Sequence, residues 1–468
     1  MIVIKRMILI FLSAFFIMSA VNTSDSFGKK KEEVVKQTEY QFYPHKQKSR
    51  NSPINKEQNW QLLYELLGRS QFAAVKGKWL DVLLGEKQEL DPCIDTPIDI
   101  AVIEGKTFIL DQERKSVWVY DFGGKKPELR EIKGFKDDNF DGAYGMDTDG
   151  KLIYLSYPAR QEIMVFDLEF NLERKIDCVF TPMRIKVSGE KLYVVDTGLQ
   201  RNLNQDSPES VFVLNKETGE VLSVIGMPEN IWKKFIETGD EKILAKKGIQ
   251  NPVPFSAEAI KADHEKKKKS EDVLLCQPSD VDVDSNGNIY ISEERGARIL
   301  KFDPAGKFLD QYGIRGTDLV CFEEVVDIAI APNGDIYALD AGITMKGITK
   351  GAVDIKSRPY IKFFSQMKWG KEKALGNLAC LPHSVWGGES VKNDLVGGKM
   401  PNMVRPYKIV IDTIEANIEH FGQFVSPDFK VEYLVWIICQ GGGTEKVAGK
   451  IIDHGKVMVF AYGQLSGK

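Results

Sequence analysis

The sequence predicts an all-β fold built from repeated four-stranded units, and three observations carry that prediction. First, Gln277 to Gly313 reads as four short strands in a row. Val281 and Val283 alternate with polar residues, Asn286-Gly287 makes a turn before Ile289-Tyr290-Ile291, Arg298 to Phe302 is a third run and Phe308 to Tyr312 a fourth. Asn-Gly and Ala-Gly pairs between strand-forming runs are hairpin signals. Second, a single sheet of this kind cannot bury both faces alone and needs copies of itself beside it. Third, the copies are present. An apolar run, a Gly turn, an Ile/Leu-Tyr-x-x-Asp segment, a charged loop and an x-Ile-x-x-Phe-Asp segment recur at Ile98 to Phe122, Tyr144 to Leu168, Pro182 to Leu214 and Val326 to Phe364.

The unit resembles the NHL repeat of the six-bladed (TolB-like) β-propellers. The match is best at Pro278 to Val283, Gly287 to Ile291 and Arg298 to Phe302. It spans residues 79 to 463, strongly to 365, and implies four-stranded blades around a central channel. Six is the blade number of the family. Counting units reaches a weak seventh, because Leu381 to Trp386 fits an inner strand, Tyr407 to Ile411 and Ile418 to Gly422 fit third and fourth strands, and Phe429 to Ile438 begins another run. Trp79 to Gly85 reads as a fourth strand without its first three, and Lys456 to Tyr462 as a third strand with nothing after it. The N-terminal strand is therefore expected to complete the C-terminal blade, which removes the sheet edges.

Ahead of the propeller, Lys5 and Arg6 precede an apolar run from Met7 to Val21, which reads as a secretory signal within residues 1–26 and is short for a membrane span. Residues 27–58 are Lys/Glu/Gln-rich and read as a charged, solvated linker, leaving 59–468 for the propeller. Trp60 to Leu67 has helical spacing. The net charge of −4 shows no basic excess, which excludes nucleic acid as the main partner. No stable membrane span is expected once the signal is removed, and the protein is expected outside the cytoplasm, periplasmic or secreted. Three insertions, 197–210, 226–275 and 341–359, fall at second-to-third loops or blade linkers and are expected to decorate one face. The 226–275 insertion reads as helical around Ile231 to Lys247 and carries Lys266 to Lys269, a run that reads first as a solvated helix end.

The positions just before each inner strand ring the channel mouth. At the consensus Gly these are Asp99, Gly145, Arg184, Asp280, Asp327 and Ser384, with Tyr144 and His383 beside them. Converging carboxylates raise one another's pKa unless a cation sits between them. On one reading Asp99, Asp280 and Asp327 hold a hard cation such as calcium, or a cationic group. On the other, which is favoured, each is hydrogen-bonded to backbone N–H groups or paired with Arg184, and no metal site is assigned. Propeller lyases that the chain resembles carry several zinc-binding histidines, and here only His383 occupies such a place. Lactonase-like propellers hold calcium with Glu, Asn and Asp, of which the Asp set is a partial echo. Five of the six cysteines precede inner strands by a few residues, and none has CxxC spacing. An even count behind a secretory signal permits disulfides, but the regular placement favours buried free thiols.

Two functions follow. One is a secreted or periplasmic binding platform for a protein or ligand, a non-catalytic subunit of an extracytoplasmic complex. The other is a metal-assisted hydrolase or lyase at the channel mouth, with His383 or Tyr144 as acid or base.

Overall fold

A computed structural model describes residues 43–44, 60–67, 94–124, 127–135, 138–198, 209–239, 257–270, 273–313, 315, 322–340, 348–349, 352–353, 360–364, 384–387, 404–423, 425, 429–441, 445–447, 450–452 and 455–465. Five antiparallel sheets have four strands each. Blade 1 comprises Pro97–Ile103, Lys106–Asp111, Ser116–Asp121 and Glu128–Ile132, and blade 2 comprises Met146–Thr148, Leu152–Tyr157, Glu162–Asp167 and Leu172–Asp177. Blade 3 is Ile185–Ser188, Lys191–Asp196, Ser210–Asn215 and Val221–Ile225, and blade 4 is Pro278–Val283, Ile289–Glu293, Arg298–Phe302 and Phe308–Tyr312. Blade 5 is Val325–Ile330, Ile336–Asp340, Tyr360–Phe364 and Ser384–Gly387. A further, five-stranded sheet runs in the order Val404–Asp412, Phe429–Gly441, Lys456–Leu465, Trp60–Leu67 and Tyr43–Pro44.

The innermost strands pack side by side in chain order. Val404–Asp412 lies between those of blades 5 and 1, so the five-stranded sheet closes the ring. A separate hydrophobic core fills each interface. Phe108 and Leu110 meet Ile153 and Leu155 between blades 1 and 2, while Trp118 and Tyr120 meet Trp436 and Val459 where the closing sheet joins blade 1. Strands with both faces covered this way must be apolar at nearly every position, which is why Phe108, Ile109 and Leu110 run consecutively.

The recurring Asp that ends the second strand is a structural device. Asp111 accepts the N–H groups of Asp95 and Thr96 at 2.6 and 3.1 Å, Asp196 that of Thr181 at 3.1 Å, and Asp340 that of Glu324 at 2.9 Å. In blade 4 Glu293 takes the role, accepting from Cys276 N at 2.8 Å. Each carboxylate thus pins the linker that delivers the chain into its own inner strand, where backbone donors would otherwise go unsatisfied. At the Asn286-Gly287 hairpin, Asp284 Oδ1 accepts the N–H groups of Asn286 and Asn288, both at 2.9 Å, and Gly287 holds φ at +78°, a conformation open to glycine at little cost.

Several expectations change. Among the described residues the four-stranded blades number five, not six or seven. Ser384–Gly387, read as an inner strand, is the outer strand of blade 5, paired with Tyr360–Phe364. Residues 407–411 and 429–438, assigned above to separate units, are adjacent strands of the one closing sheet, and residues 418–422 lie in a helix, Glu415–Gly422. The closing strand is also a different one. Trp60–Leu67, expected to be helical, is extended and pairs antiparallel with Lys456–Leu465, while Trp79 to Gly85 lies outside the described residues. A Trp-x-Leu-Leu-Tyr-x-Leu-Leu pattern suits either structure, and the free edge of Lys456–Leu465 decides between them by offering backbone partners along its length.

Three helices are described: α1 (Glu229–Thr238), α2 (Ala257–Lys269) and α3 (Glu415–Gly422). The first two come from the 226–275 insertion. They pack on the outer strands of blades 3 and 4, so this insertion sits at the rim, not only on a face. In α2 the Lys run divides: Lys266, Lys268 and Lys269 are exposed, and Lys267 is buried against Asp263. Residues 197–198 and 209–210 are the described parts of one second-to-third insertion, and most of 341–359 lies outside the described residues. Cys178, Cys276 and Cys439 are buried free thiols, and the other three cysteines lie outside the described residues. Among the described residues no helix is long and apolar enough to cross a membrane.

Candidate functional site

The inner strands bring charged side chains to the ring axis, and one bonding rule places them. A carboxylate on one inner strand accepts a backbone N–H from the inner strand of the next sheet. Asp99 Oδ2 accepts from Met146 at 2.9 Å, Asp147 Oδ2 from Val187 at 2.7 Å, Asp280 Oδ2 from Ile328 at 3.3 Å, Asp282 Oδ2 from Ile330 at 2.7 Å, and Asp327 Oδ2 from Ile409 at 2.6 Å. These bonds sew neighbouring sheets together, and they set equivalent positions. Asp99, Gly145, Arg184, Asp280, Asp327 and Lys408 share one level, and Asp147, Lys186 and Asp282 lie two residues further along.

Three tiers result. In the first, Arg184 reaches past Gly145 to blade 1, where Nη1 donates to Asp99 Oδ2 at 2.9 Å and to the Ile98 carbonyl at 2.8 Å. Its guanidinium lies 5.2 Å from the Tyr144 ring centroid and 4.8 Å from that of Tyr407, and the two hydroxyls are 2.8 Å apart. Burial disfavours the charged guanidinium, but Asp99 more than offsets it and Arg184 is held well above the ordinary arginine value. In the second tier, Lys408 Nζ sits between two buried carboxylates, 3.2 Å from Asp280 Oδ2 and 2.9 Å from Asp327 Oδ1. Burial works against the Lys408 ammonium, yet the two aspartates raise it above the ordinary lysine range. Burial and then the Asp280 charge push Asp327 well up. Against the same burial, Lys408 and a hydrogen bond from Asp327 hold Asp280 down.

In the third tier, Lys186 Nζ lies 3.1 Å from Asp282 Oδ1 and 3.9 Å from Asp147 Oδ2. This tier opens into a cavity of about 280 Å³ whose wall includes Val283, Ser285, Ile330 and Val410. Ser285 belongs to the first-to-second strand hairpin of blade 4, so the cavity opens on the hairpin side of the ring, opposite the blade linkers.

The sequence-predicted site residues are thus divided. Asp99 and Arg184 are a buried pair, Asp280 and Asp327 are a second group, and none of the four rings an open mouth. Tyr144 stands over the first tier. His383 lies outside the described residues. Lys408, Asp147, Lys186 and Asp282 were missed. Lys408 was hidden because Tyr407 to Ile411 was assigned to a third strand, although Tyr-Lys-Ile-Val-Ile-Asp has the inner-strand alternation of Asp280 to Val283. Among the described residues no group of three or more His, Cys, Asp or Glu is placed to hold a metal ion.

Residues 275–302 match the family model "NHL repeat". They are the linker and first three strands of blade 4. No curated protein matches the chain significantly in sequence. Among solved structures it is similar to virginiamycin B lyase from Staphylococcus aureus, at 10% identity over 86% of this chain and 99% of that one, with a TM-score of 0.41. It is also similar to a streptogramin B lyase, at 11% identity over 78% and 94% with a TM-score of 0.39. A third is Kuenenia stuttgartiensis hydrazine synthase, at 14% identity over 76% and 80% with a TM-score of 0.38. Blade 4 thus carries an NHL repeat, and the described residues form a β-propeller in which the same strand order recurs in four other blades.

Proposed function

We propose that this propeller works outside the cytoplasm as a binding platform, a non-catalytic subunit that holds a protein partner or ligand. The observation that carries the reading is the chemistry of the axis. The oxygens of Asp99, Asp280 and Asp327 that a metal or substrate would need are engaged by inner-strand N–H groups, by Arg184 and by Lys408. Lys408 Nζ takes the place between two carboxylates that a metal-assisted hydrolase or lyase would reserve for its cation. Carboxylates arranged this way contribute rigidity, and a rigid ring with helices on its rim suits the presentation of a surface.

The exposed Lys266, Lys268 and Lys269 of α2 are the rim residues assigned to the partner. The test is native mass spectrometry of the protein isolated gently from its own source, followed by triple substitution of those three lysines with Ala. The expected result is a complex with companion subunits that the triple variant loses at an unchanged melting temperature. A chain isolated alone, or a variant that keeps its companions, would overturn the reading.

A further inference from the structure

The third tier carries an excess of acid that its own lysine does not meet. Asp147 and Asp282 face a single Lys186, whose Nζ is within hydrogen-bond reach of Asp282 at 3.1 Å and out of reach of Asp147 at 3.9 Å. The second tier has the same two-to-one ratio and shows what such a carboxylate pair accepts. There the primary ammonium of Lys408 is seated between Asp280 and Asp327, with oxygens at 2.9 to 3.3 Å from Nζ. That tier is buried. The third tier is not sealed. The side chains of Asp147 and Lys186 keep 17% and 32% of their surface open, and the cavity of about 280 Å³ lies directly against them.

The cavity's chemistry is mixed. Its polar end is the Asp147–Lys186–Asp282 group, and Ile100, Val283, Ile330 and Val410 make apolar wall. Its size suits a ligand of roughly ten non-hydrogen atoms or fewer. A cation wholly without apolar substance would leave those walls in water, and an anion would meet three carboxylates, Asp147, Asp282 and Asp284, against the two ammonium groups of Lys186 and Lys408.

We propose that this cup on the hairpin side of the ring binds a small organic ammonium, a primary amine whose charged head takes Asp147 and Asp282 and whose alkyl body lies on Val283, Ile330 and Val410. Lys186 is then the resident competitor for the head group. It hydrogen-bonds Asp282 and is displaced sideways when the ligand enters. The inference rests on the binding reading above and narrows its ligand, but the two fail separately. A chain isolated with companions that binds no amine would refute the cup and leave the platform, and a lone chain that binds amine would do the reverse.

The probe is n-butylammonium chloride, with n-butyrate and n-butanol as controls, followed by titration calorimetry and ligand-observed NMR on the full chain. Saturable one-site binding of butylammonium in the millimolar range or tighter is expected, with neither control competing. Asp282→Asn keeps an acceptor for Ile330 N but removes the charge, and should weaken binding about tenfold or more. Lys186→Met should tighten it by about tenfold, because the competitor is gone. Absence of saturable butylammonium binding, equal binding of butyrate, or a Lys186→Met variant that binds no more tightly than the parent would each overturn the proposal. Should Asp282→Asn fail to fold, the parent and Lys186→Met titrations decide alone.

Discussion

Replacing Lys408 with Met tests whether the axis is held by charge or merely by shape. Met fills a similar volume with no charge, so packing is nearly conserved. What is lost is the ammonium between Asp280 and Asp327, both of them fully buried. Lys408 holds the Asp280 carboxyl below the ordinary carboxylate range, and the variant leaves that carboxylate without the ammonium it contacts. Two unit charges roughly 3 Å apart attract by about 5 kcal/mol at an effective dielectric of about 20. Removing one partner of a buried pair costs about 3–5 kcal/mol in practice. We expect a loss of that size at pH 7, read from the urea midpoint by tryptophan fluorescence, since Trp118 and Trp436 report on the seam between blade 1 and the closing sheet. The pH dependence supplies an independent check. Without Lys408 the folded-state pKa of Asp280 rises above its unfolded value of about 3.9. A carboxyl whose pKa is raised by folding binds its proton more tightly when folded. Its contribution to stability is therefore lost as pH climbs from the unfolded value through the folded one, and regained on acidification. The gap between wild type and variant should accordingly narrow as pH falls from 7 toward 4. Adding Asp280→Asn, which removes the stranded charge and keeps an acceptor for Ile328 N, should restore most of the loss. A loss below about 1 kcal/mol at pH 7, or a gap that widens in acid, would refute the account of a charge-held axis.

Two further predictions concern single positions. A Cβ added at Gly145 would collide with the Met183 carbonyl oxygen and stand 2.9 Å from Ser156 Oγ, so Gly145→Ala must push blade 3 away and should cost about 1–3 kcal/mol, with an unchanged urea midpoint sinking the idea. Glu294 is pushed up to about 8 by burial and by its hydrogen bond and charge contact with Glu324. The folded state thus holds that proton more tightly, and stability should fall as pH rises from about 4.3 to about 8; Glu294→Gln should flatten this part of the profile, and parallel profiles for the two proteins would count against it.

The sequence alone determined the unit. Alternation of apolar residues, Asn-Gly turns and a repeated Ile/Leu-Tyr-x-x-Asp segment are local signals, and they place the blade 4 strands at the positions the structure shows, because a strand buried on both sides must be written into its own residues. The sequence also pointed to Asp99, Arg184, Asp280 and Asp327 as an axial set, since their place in each unit is periodic. It left open how these groups are satisfied. A carboxylate that bonds the next inner strand is indistinguishable in a sequence from one that binds a metal, and the difference lies in what the neighbouring sheet presents. Lys408 reaches Asp280 across 128 residues of chain, and Arg184 reaches Asp99 across 85. The closing sheet shows the same limit. Trp60–Leu67 is extended because Lys456–Leu465, far along the chain, offers it an open edge, and a local pattern that suits helix and strand equally is decided only when the ring brings its two ends together.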